Sequence, residues 1–176
     1  TDPYQGKVMA ENLYKKLGVR KAAILSDVGS DYSEGMTEYF IKTFKGLGGT
    51  VESFKYRSGD VDFRAQLTNA KQSGATALVM PDLYKEMALM MKQAHELDWK
   101  PYFIGGDGYS NNMHEIAGPA MEGSYWVYHL SFDDPKIRPL IEKYTKRFGQ
   151  APTEVVNTVA GYDILYWIAD AIKRAK

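Results

Sequence analysis

The sequence contains no cysteine, so it forms no disulfide and offers neither a thiol nucleophile nor a cysteine-ligated metal site. It also lacks any run of 18 apolar residues, about the length that a membrane-spanning helix needs. Its 22 basic and 22 acidic residues give a net charge of zero, which removes the general electrostatic case for binding nucleic acid. With 176 residues, 44% of them hydrophobic, the chain is long enough to bury a core.

The motifs of common enzymes are missing as well. His95, His114 and His129 lie far apart in the sequence, and none has a metal-type partner at helical spacing. There is no Gly-x-Ser-x-Gly of hydrolases, no phosphate-binding loop and no dinucleotide fingerprint. We therefore expect a protein that is not an enzyme and that uses no cofactor.

What is present is a regular alternation of short apolar runs and helix-like segments. Strands are predicted at about 21–28, 51–56, 77–80, 102–104 and 124–130. Helices are predicted before, between and after these strands, at about 4–17, 33–45, 62–70, 84–97 and 112–117. Such alternation requires right-handed crossovers and a parallel sheet covered on both faces. The predicted fold is therefore α/β: a doubly wound, flavodoxin-like parallel sheet of five strands in the order 2-1-3-4-5.

The alternation stops near residue 133. Two helices follow without a strand between them, at about 135–148 and 154–175. We therefore expect two domains, a sheet-containing lobe at 1–133 and a helical segment at 134–176. The last helix carries a broad set of apolar residues: Val155, Val159, Tyr162, Ile164, Leu165, Trp167, Ile168 and Ile172. A surface of this kind repacks on the sheet, stays loose, or pairs between chains in a homodimer through 154–175.

Three predicted strands each end in a small, acidic and aromatic cluster. Because the carboxyl ends of parallel strands line one edge of the sheet, the three clusters should converge on one crevice. Carboxylates and phenols in such a crevice are suited to a small polar molecule with a positive charge. The candidate ligand-binding residues are Ser30 and Tyr32 after the first strand, Asp82, Leu83 and Tyr84 after the third, and Asp107 and Tyr109 after the fourth.

Structural explanations exist for the same residues. Ser30, Asp82 and Asp107 each precede a predicted helix, where such side chains serve as caps. Tyr32 is also typical of a half-buried tyrosine at a helix start. A second functional interpretation is a phospho-receiver or flavodoxin-like carrier, since both use the doubly wound fold. Asp27, Asp31 and Asp82 fit a receiver loosely, but no lysine follows the fifth strand closely.

The clusters, taken in order, resemble a known family. The segments that carry the resemblance are Thr1-Asp2-Pro3-Tyr4-Gln5-Gly6, Ser30-Asp31-Tyr32-Ser33-Glu34-Gly35, Gly59-Asp60-Val61-Asp62-Phe63, Tyr102-Phe103-Ile104-Gly105-Gly106-Asp107-Gly108-Tyr109, Ala117-Gly118-Pro119-Ala120-Met121-Glu122-Gly123 and Gly161-Tyr162-Asp163. They are similar to the type I periplasmic solute-binding proteins of branched-chain amino acid ABC importers, the leucine/isoleucine/valine-binding kind. The resemblance extends over essentially the whole chain.

The resemblance implies a protein of two lobes that closes over its ligand and delivers it to a membrane permease, in the periplasm or outside the cell. This chain would be the second lobe plus a segment that returns to the first lobe, which is missing here. By resemblance, Tyr32 and Asp107 hold the amino acid's polar head, with Asp107 taking the ammonium. Leucine-binding members of the family have an aromatic residue at the position of Leu83. We expect the isolated lobe to bind its solute weakly, because half of the polar contacts are absent.

Overall fold

The five strands form one parallel sheet in the order β2-β1-β3-β4-β5, which confirms the predicted topology. The computed structural model describes residues 2–110, 112–131, 134–153 and 155–175. Within them the strands are β1 (Lys21–Asp27), β2 (Thr50–Tyr56), β3 (Ala77–Met80), β4 (Tyr102–Gly105) and β5 (Tyr125–Trp126). Ala22 of β1 pairs with Val51 of β2 on one side and with Ala77 of β3 on the other.

Helices follow the strands in the alternation that the sequence predicts. They are α1 (Asp2–Glu11), α2 (Asp31–Gly46), α3 (Arg64–Gln72), α4 (Tyr84–Glu96), α5 (Met113–Ala117), α6 (Arg138–Phe148) and α7 (Val155–Arg174). A π-helical turn, Asn12–Lys16, extends α1, and a 3-10 turn, Gly118–Met121, extends α5. None of the described helices combines the length and apolar character that crossing a bilayer requires.

The central strands are buried because helices cover both faces of the sheet. Neighbouring residues of one strand point to opposite faces, so Ile24 and Leu25 of β1 belong to different halves of the core. One half packs against α1 and α2 through Met9, Leu13, Met36, Phe40 and Phe44. The other packs against α3 and α4 through Phe63, Leu67, Met87 and Met91. The doubly wound arrangement is thereby confirmed.

Two predicted elements differ from those observed. The fifth strand is much shorter than 124–130, because only Tyr125–Trp126 pairs with β4 before the chain leaves this edge of the sheet. The helix expected from residue 135 begins instead at Arg138, where Pro139 occupies a first-turn position whose missing N–H costs no hydrogen bond. The side chain of Asp134 accepts a hydrogen bond from the Lys136 backbone N–H ahead of this helix.

The chain divides into two compact units after Tyr128. The first unit contains the sheet and α1 to α5, with both halves of the core. The second contains α6 and α7, and none of the described residues of these two helices is buried. Apolar side chains of α7 are among the most exposed in the protein, with Trp167 74% and Leu165 66% exposed. The division into residues 1–133 and 134–176 stays a prediction.

Candidate ligand-binding site

The loops after β1 and β4 meet at the carboxyl edge of the sheet. Tyr32, in the first turn of α2, donates a hydrogen bond from its hydroxyl to Oδ1 of Asp107 at 2.7 Å. The two residues are 75 positions apart in the sequence. The convergence of strand ends in a parallel sheet brings them together, and both side chains remain partly accessible at the edge.

The first turn of α1 supports this pair from beneath. Gln5 is 2% exposed, and its Oε1 accepts a hydrogen bond from the backbone N–H of Asp107 at 2.9 Å. A Cβ on Gly106 would lie 2.8 Å from the Tyr32 hydroxyl and 2.9 Å from Gln5 Oε1. The loop that carries Asp107 therefore packs closely against the ends of the Tyr32 and Gln5 side chains, and a larger residue at position 106 would displace them.

The pKa of Tyr32 determines which side chain of the pair donates the hydrogen bond. Burial raises the pKa of Tyr32 well above its usual range, and the hydrogen bond and negative charge of Asp107 raise it further. Tyr32 is therefore a neutral phenol whose proton is directed at a carboxylate.

A pocket of about 260 Å³ adjoins Tyr32 on the side of β1, β2 and β3; we call it the rim pocket. Its lining comes from three segments of the chain that are distant in sequence, those that follow β1, β2 and β3. The lining residues are Asp27, Ser30, Tyr32, Ser58, Asp82, Leu83 and Glu86. Three of the seven are carboxylic acids, so the pocket's walls are acidic.

Asp27 ties two of the rim loops together. Its Oδ1 accepts hydrogen bonds from the backbone N–H groups of Gly29 at 2.8 Å and Ser58 at 3.0 Å. The Ser58 hydroxyl donates to its other oxygen, Oδ2. Burial opposes ionisation, but these hydrogen bonds hold the pKa of Asp27 below its usual range. Asp27 is therefore an ionised structural carboxylate that joins the loop after β1 to the loop after β2.

The carboxyl group of Asp82 accepts fewer hydrogen bonds than that of Asp27. It is 6% exposed, and its Oδ1 accepts a hydrogen bond from the Leu83 backbone N–H at 2.7 Å. Its Oδ2 is buried and has no hydrogen-bond partner among the residues that the structure describes. Burial raises the pKa of Asp82 to about 7; the Leu83 N–H opposes this shift, and the charges of Glu86 and Asp27 add to it. Asp82 consequently titrates near neutral pH.

The structure separates the remaining predicted site residues into two groups. Ser30 lines the rim pocket and also caps α2, accepting a hydrogen bond from the Ser33 backbone N–H at 3.2 Å. Leu83 lines the pocket with 58% of its surface exposed and occupies the N-cap position of α4, so the expectation that Asp82 caps this helix is wrong. Tyr84 and Tyr109 instead pack against the core. The ring of Tyr109 lies 4.9 Å from that of Trp126.

Three residues that line the rim pocket or support the Tyr32–Asp107 pair were not predicted from the sequence. Ser58 lies two residues after the end of β2, so the rule that placed the other clusters at strand ends could have found it. Glu86 and Gln5 lie inside helices, one and a half turns or less from their starts, and no local signal separates them from ordinary helical residues. Only the packing of α1 and α4 against the sheet brings them to the rim.

A larger cavity, of about 700 Å³, lies at the opposite edge of the sheet. Trp99, Pro101 and Tyr102 line it near the amino ends of β3 and β4. It lies at the wrong end of the strands for a ligand of this fold, and the Tyr32–Asp107 pair does not line it. We therefore assign the candidate site to the smaller rim pocket and its neighbouring pair. Within the described ranges, no three His, Asp or Glu side chains come together as a metal site.

In a parallel sheet of this kind, ligands bind at the carboxyl edge, where the polar groups of this chain collect. The periplasmic binding protein family matches residues 1–176, and the chain belongs to this family. Its members bind solutes and are not enzymes. The family assignment that the sequence clusters implied is thereby confirmed.

Two relatives are similar over 99% of the chain. The leucine-, isoleucine-, valine-, threonine- and alanine-binding protein of Pseudomonas aeruginosa is 29% identical over 99% of this chain and 47% of its own length. A Leu/Ile/Val-binding protein homolog of Brucella suis has the same identity and coverage. The chain therefore spans about half the length of these relatives.

Solved structures have the same architecture. A leucine-binding protein of Thermotoga maritima superposes with a TM-score of 0.90 and 36% identity, over 99% of this chain and 50% of that protein. The substrate-binding protein of a branched-chain amino acid transporter from Streptococcus pneumoniae, in complex with isoleucine, gives a TM-score of 0.86 and 25% identity. That match covers 97% of this chain and 49% of the other.

Proposed function

We propose that this chain is one lobe of the substrate-binding component of an ABC importer, and that it captures an amino acid at the rim formed by Tyr32 and Asp107. The observation that supports this most directly is the 2.7 Å hydrogen bond between these two side chains at the carboxyl edge of the sheet. In the proposed complex the ligand's ammonium binds the Asp107 carboxylate in a charge-assisted hydrogen bond. Tyr32 orients that carboxylate and covers one side of the ligand.

A second lobe completes the proposed site. The relatives are about twice as long as this chain, and the rim is open to solvent on the side away from the sheet. We propose that the ligand's carboxylate is held by the other lobe, and that lobe closure signals a loaded state to a membrane permease. The location of the whole protein is then the periplasm or the cell exterior.

We also propose that the helical segment at 134–176 belongs to that other lobe. Its helix α7 has Tyr162, Ile164, Leu165, Trp167 and Ile168 exposed. Burying such side chains contributes roughly 1.5–3 kcal/mol each, so this surface favours a partner. In the chain alone the same surface favours homodimers. Light scattering of the 176-residue chain over a range of concentrations tests this, and a monomer at the highest concentrations contradicts it.

The phospho-receiver and flavodoxin-like carrier interpretations are not favoured. The family model that matches the whole chain is one of solute binding, and the relatives named above bind amino acids. A receiver would respond to magnesium with a phosphoryl mimic, and a flavin carrier would be yellow when purified. Both observations are simple to make on the same sample.

The test of the proposed function is a thermal-shift screen of the amino acids, followed by calorimetry, on the two-lobed protein that contains this chain. A ligand that binds the folded state raises the melting temperature in proportion to the logarithm of its concentration. We expect a response to amino acids with a free ammonium, and none to the corresponding N-acetyl derivatives. On the isolated chain we expect weak binding or none, and micromolar binding of leucine there contradicts the two-lobe arrangement.

A further inference from the structure

We propose that Gln5 is a positioning residue of the binding site, which holds the backbone of Asp107 so that its carboxylate meets the ammonium of the bound amino acid. The inference rests on the proposed function, because it takes Asp107 to be the group that binds the ammonium. It adds the residue that prepares Asp107 for that task. The features that carry it are the contact of Gln5 with the loop after β4 and the packing of α1 against α2.

Asp107 is held at two points by side chains of two different helices. The Oε1 of Gln5 on α1 accepts a hydrogen bond from the Asp107 backbone N–H at 2.9 Å, and the Tyr32 hydroxyl on α2 donates to Oδ1 of Asp107 at 2.7 Å. The first bond fixes the backbone from which the side chain departs, and the second fixes the carboxylate itself. Because Gln5 is only 2% exposed, it acts on a ligand through Asp107. A group fixed in this way loses little conformational freedom when a ligand binds.

The residue before Asp107 shows how closely the loop fits the two helices. A Cβ on Gly106 would lie 2.7 Å from Cε of Met36, 2.8 Å from the Tyr32 hydroxyl and 2.9 Å from Gln5 Oε1. Side chains of α1 and α2 therefore form a socket in which the loop rests. Since the socket leaves no free space at position 106, the length and shape of Gln5 determine where Asp107 lies.

The position of Gln5 is fixed in turn by the crossing of α1 and α2. A Cβ on Gly6 would lie 2.4 Å from the backbone oxygen of Met36 and 2.9 Å from the backbone nitrogen of Phe40, so the two helix backbones touch beside Gln5. Met36 is one turn after Tyr32 on α2. One helix crossing thereby places both groups that hold Asp107.

A second buried glutamine shows what a purely structural role looks like. Gln93 on α4 is 4% exposed; its Oε1 accepts from the Phe63 backbone N–H at 2.7 Å, and its Nε2 donates to the Val61 carbonyl at 2.8 Å. The Nε2 of Gln5 is buried and has no partner among the residues that the structure describes. A buried donor without a partner costs free energy. Gln5 therefore contributes less to the fold than Gln93, and its position beneath Asp107 favours a role in binding.

The experiment separates affinity for the ammonium from affinity for the rest of the ligand. It uses the amino acid that gives the largest thermal shift in the screen above and its 2-hydroxy analogue, which has a hydroxyl in place of the ammonium; for leucine this is 2-hydroxy-4-methylpentanoate. In calorimetry on the two-lobed protein, the amino acid should bind at least about tenfold more tightly than the analogue, because only the ammonium pairs with the Asp107 charge. This affinity ratio is the readout.

Variants of Gln5 should change the ratio. Gln5→Met keeps the length of the side chain but removes the accepting oxygen, and it should lower the ratio about five- to tenfold. Its melting temperature should stay within a few degrees of the wild type, because the unpaired Nε2 is removed as well. Gln5→Glu keeps an accepting oxygen and should retain the ratio. Gln5→Asn, whose amide is too short to reach the Asp107 N–H, replaces Gln5→Met if that variant does not fold.

The matched control is Gln93→Met, which makes the same chemical change in the other half of the core. It leaves the Phe63 N–H and the Val61 carbonyl without their partner, so it should lower the melting temperature more than Gln5→Met does. It should not change the affinity ratio. A double-mutant cycle completes the set: Gln5→Met should have little effect on amino-acid affinity once Asp107→Asn is present, because Gln5 acts through that carboxylate.

Three outcomes overturn the inference and leave the proposed capture at Asp107 standing. The first is that Gln5→Met weakens the amino acid and its analogue equally. The second is that Gln93→Met lowers the ratio as much as Gln5→Met, or that Gln5→Glu fails to retain it. The third is that the effects of Gln5→Met and Asp107→Asn add. If no amino acid raises the melting temperature of the two-lobed protein, the proposed function is wrong, and the inference falls with it.

Discussion

Asp107 and Asp82 follow neighbouring strands of one sheet, yet their surroundings differ. Asp107 receives the Tyr32 hydroxyl on its carboxylate and is positioned by Gln5 through its backbone N–H. Asp82 receives one backbone N–H, and its second oxygen is buried without a partner among the described residues. Burial raises the pKa of Asp82 to about 7, helped by the charges of Glu86 and Asp27. Equivalent positions in a fold therefore carry carboxyl groups of different character.

The difference indicates two roles. A carboxylate that is partly accessible and oriented by a phenol is prepared to bind a charged group without rearrangement. A carboxyl group that is buried with negative neighbours is instead partly protonated near neutral pH. In the proposed complex, Asp107 anchors the ammonium of the amino acid, whereas Asp82 is a buried carboxyl group whose protonation changes near neutral pH. The predictions below test this contrast.

The largest expected effect is the loss of ligand affinity when Asp107, the group that binds the ligand's ammonium in the proposed complex, loses its charge. Asp107→Asn removes the charge that pairs with the ligand's ammonium while keeping the size of the side chain. We expect the affinity for every amino acid to fall about a hundredfold, equivalent to roughly 3 kcal/mol, in calorimetry on the two-lobed protein. An equal loss from Asp82→Asn contradicts the division of roles, because the ligand's ammonium binds Asp107 and not Asp82 in the proposed complex.

The second-largest expected effect is a loss of stability on substitution of Gly108, which packs against the backbone of Asp82. A Cβ on Gly108 would lie 2.1 Å from the backbone oxygen of Asp82, so Gly108→Ala must push the loops after β3 and β4 apart. We expect it to lower the free energy of unfolding by about 1–3 kcal/mol in urea titrations. Gly35→Ala is the matched control, because a Cβ there meets nothing within 4 Å and alanine favours the helix. It should be neutral or slightly stabilising.

The third prediction concerns the pH dependence of stability that Asp82 causes. Between about pH 4 and pH 7 the folded state retains a proton on Asp82 that the unfolded chain releases, so the wild type loses stability as pH rises through this window. Asp82→Asn does not titrate. Its melting temperature should equal that of the wild type near pH 4 and exceed it at pH 8, by an amount worth on the order of 2 kcal/mol. A difference that does not change with pH contradicts the assignment.

The smallest expected effect concerns the hydroxyl that orients the anchor. Tyr32→Phe keeps the ring but removes the hydrogen bond to Asp107. We expect amino-acid affinity to fall by about three- to tenfold, in line with roughly 1 kcal/mol for one hydrogen bond. Tyr39→Phe, an exposed tyrosine on the same helix, is the control and should have no effect. If the two variants behave alike in calorimetry, Tyr32 has no part in orienting Asp107.

Much of this protein could be predicted from local sequence patterns. Short apolar runs such as Ala22-Ala23-Ile24-Leu25 and Ala77-Leu78-Val79-Met80 indicated buried parallel strands, and the structure confirms them. The clusters after these strands indicated the rim, because parallel topology places all carboxyl ends on one edge. The predicted length of β5 was wrong, because pairing at a sheet edge depends on contacts that the strand's own residues do not encode.

The sequence did not predict which side chains contact each other. Tyr84 and Tyr109 follow strands as Tyr32 does, but they pack against the half of the core under α3 and α4, whereas Tyr32 packs against the half under α1 and α2 and donates its hydroxyl hydrogen to Asp107. Asp82 looked like a helix cap, but α4 starts one residue too late for that role. Which aromatic or acidic residue of a cluster faces the crevice depends on the rotation of each helix about its axis, and packing of the whole core sets that rotation.

The sequence by itself determined the alternation of strands and helices, the order of the sheet and the edge at which polar groups collect. Hydrophobic periodicity and chain connectivity are local properties, and the handedness of crossovers leaves few topologies. Only the tertiary structure decided that Tyr32 meets Asp107 across 75 residues, that Ser58 satisfies Asp27, and that Asp82 keeps an unmatched oxygen. Those outcomes depend on distances of a few tenths of an ångström between loops, and close packing of the entire lobe fixes them.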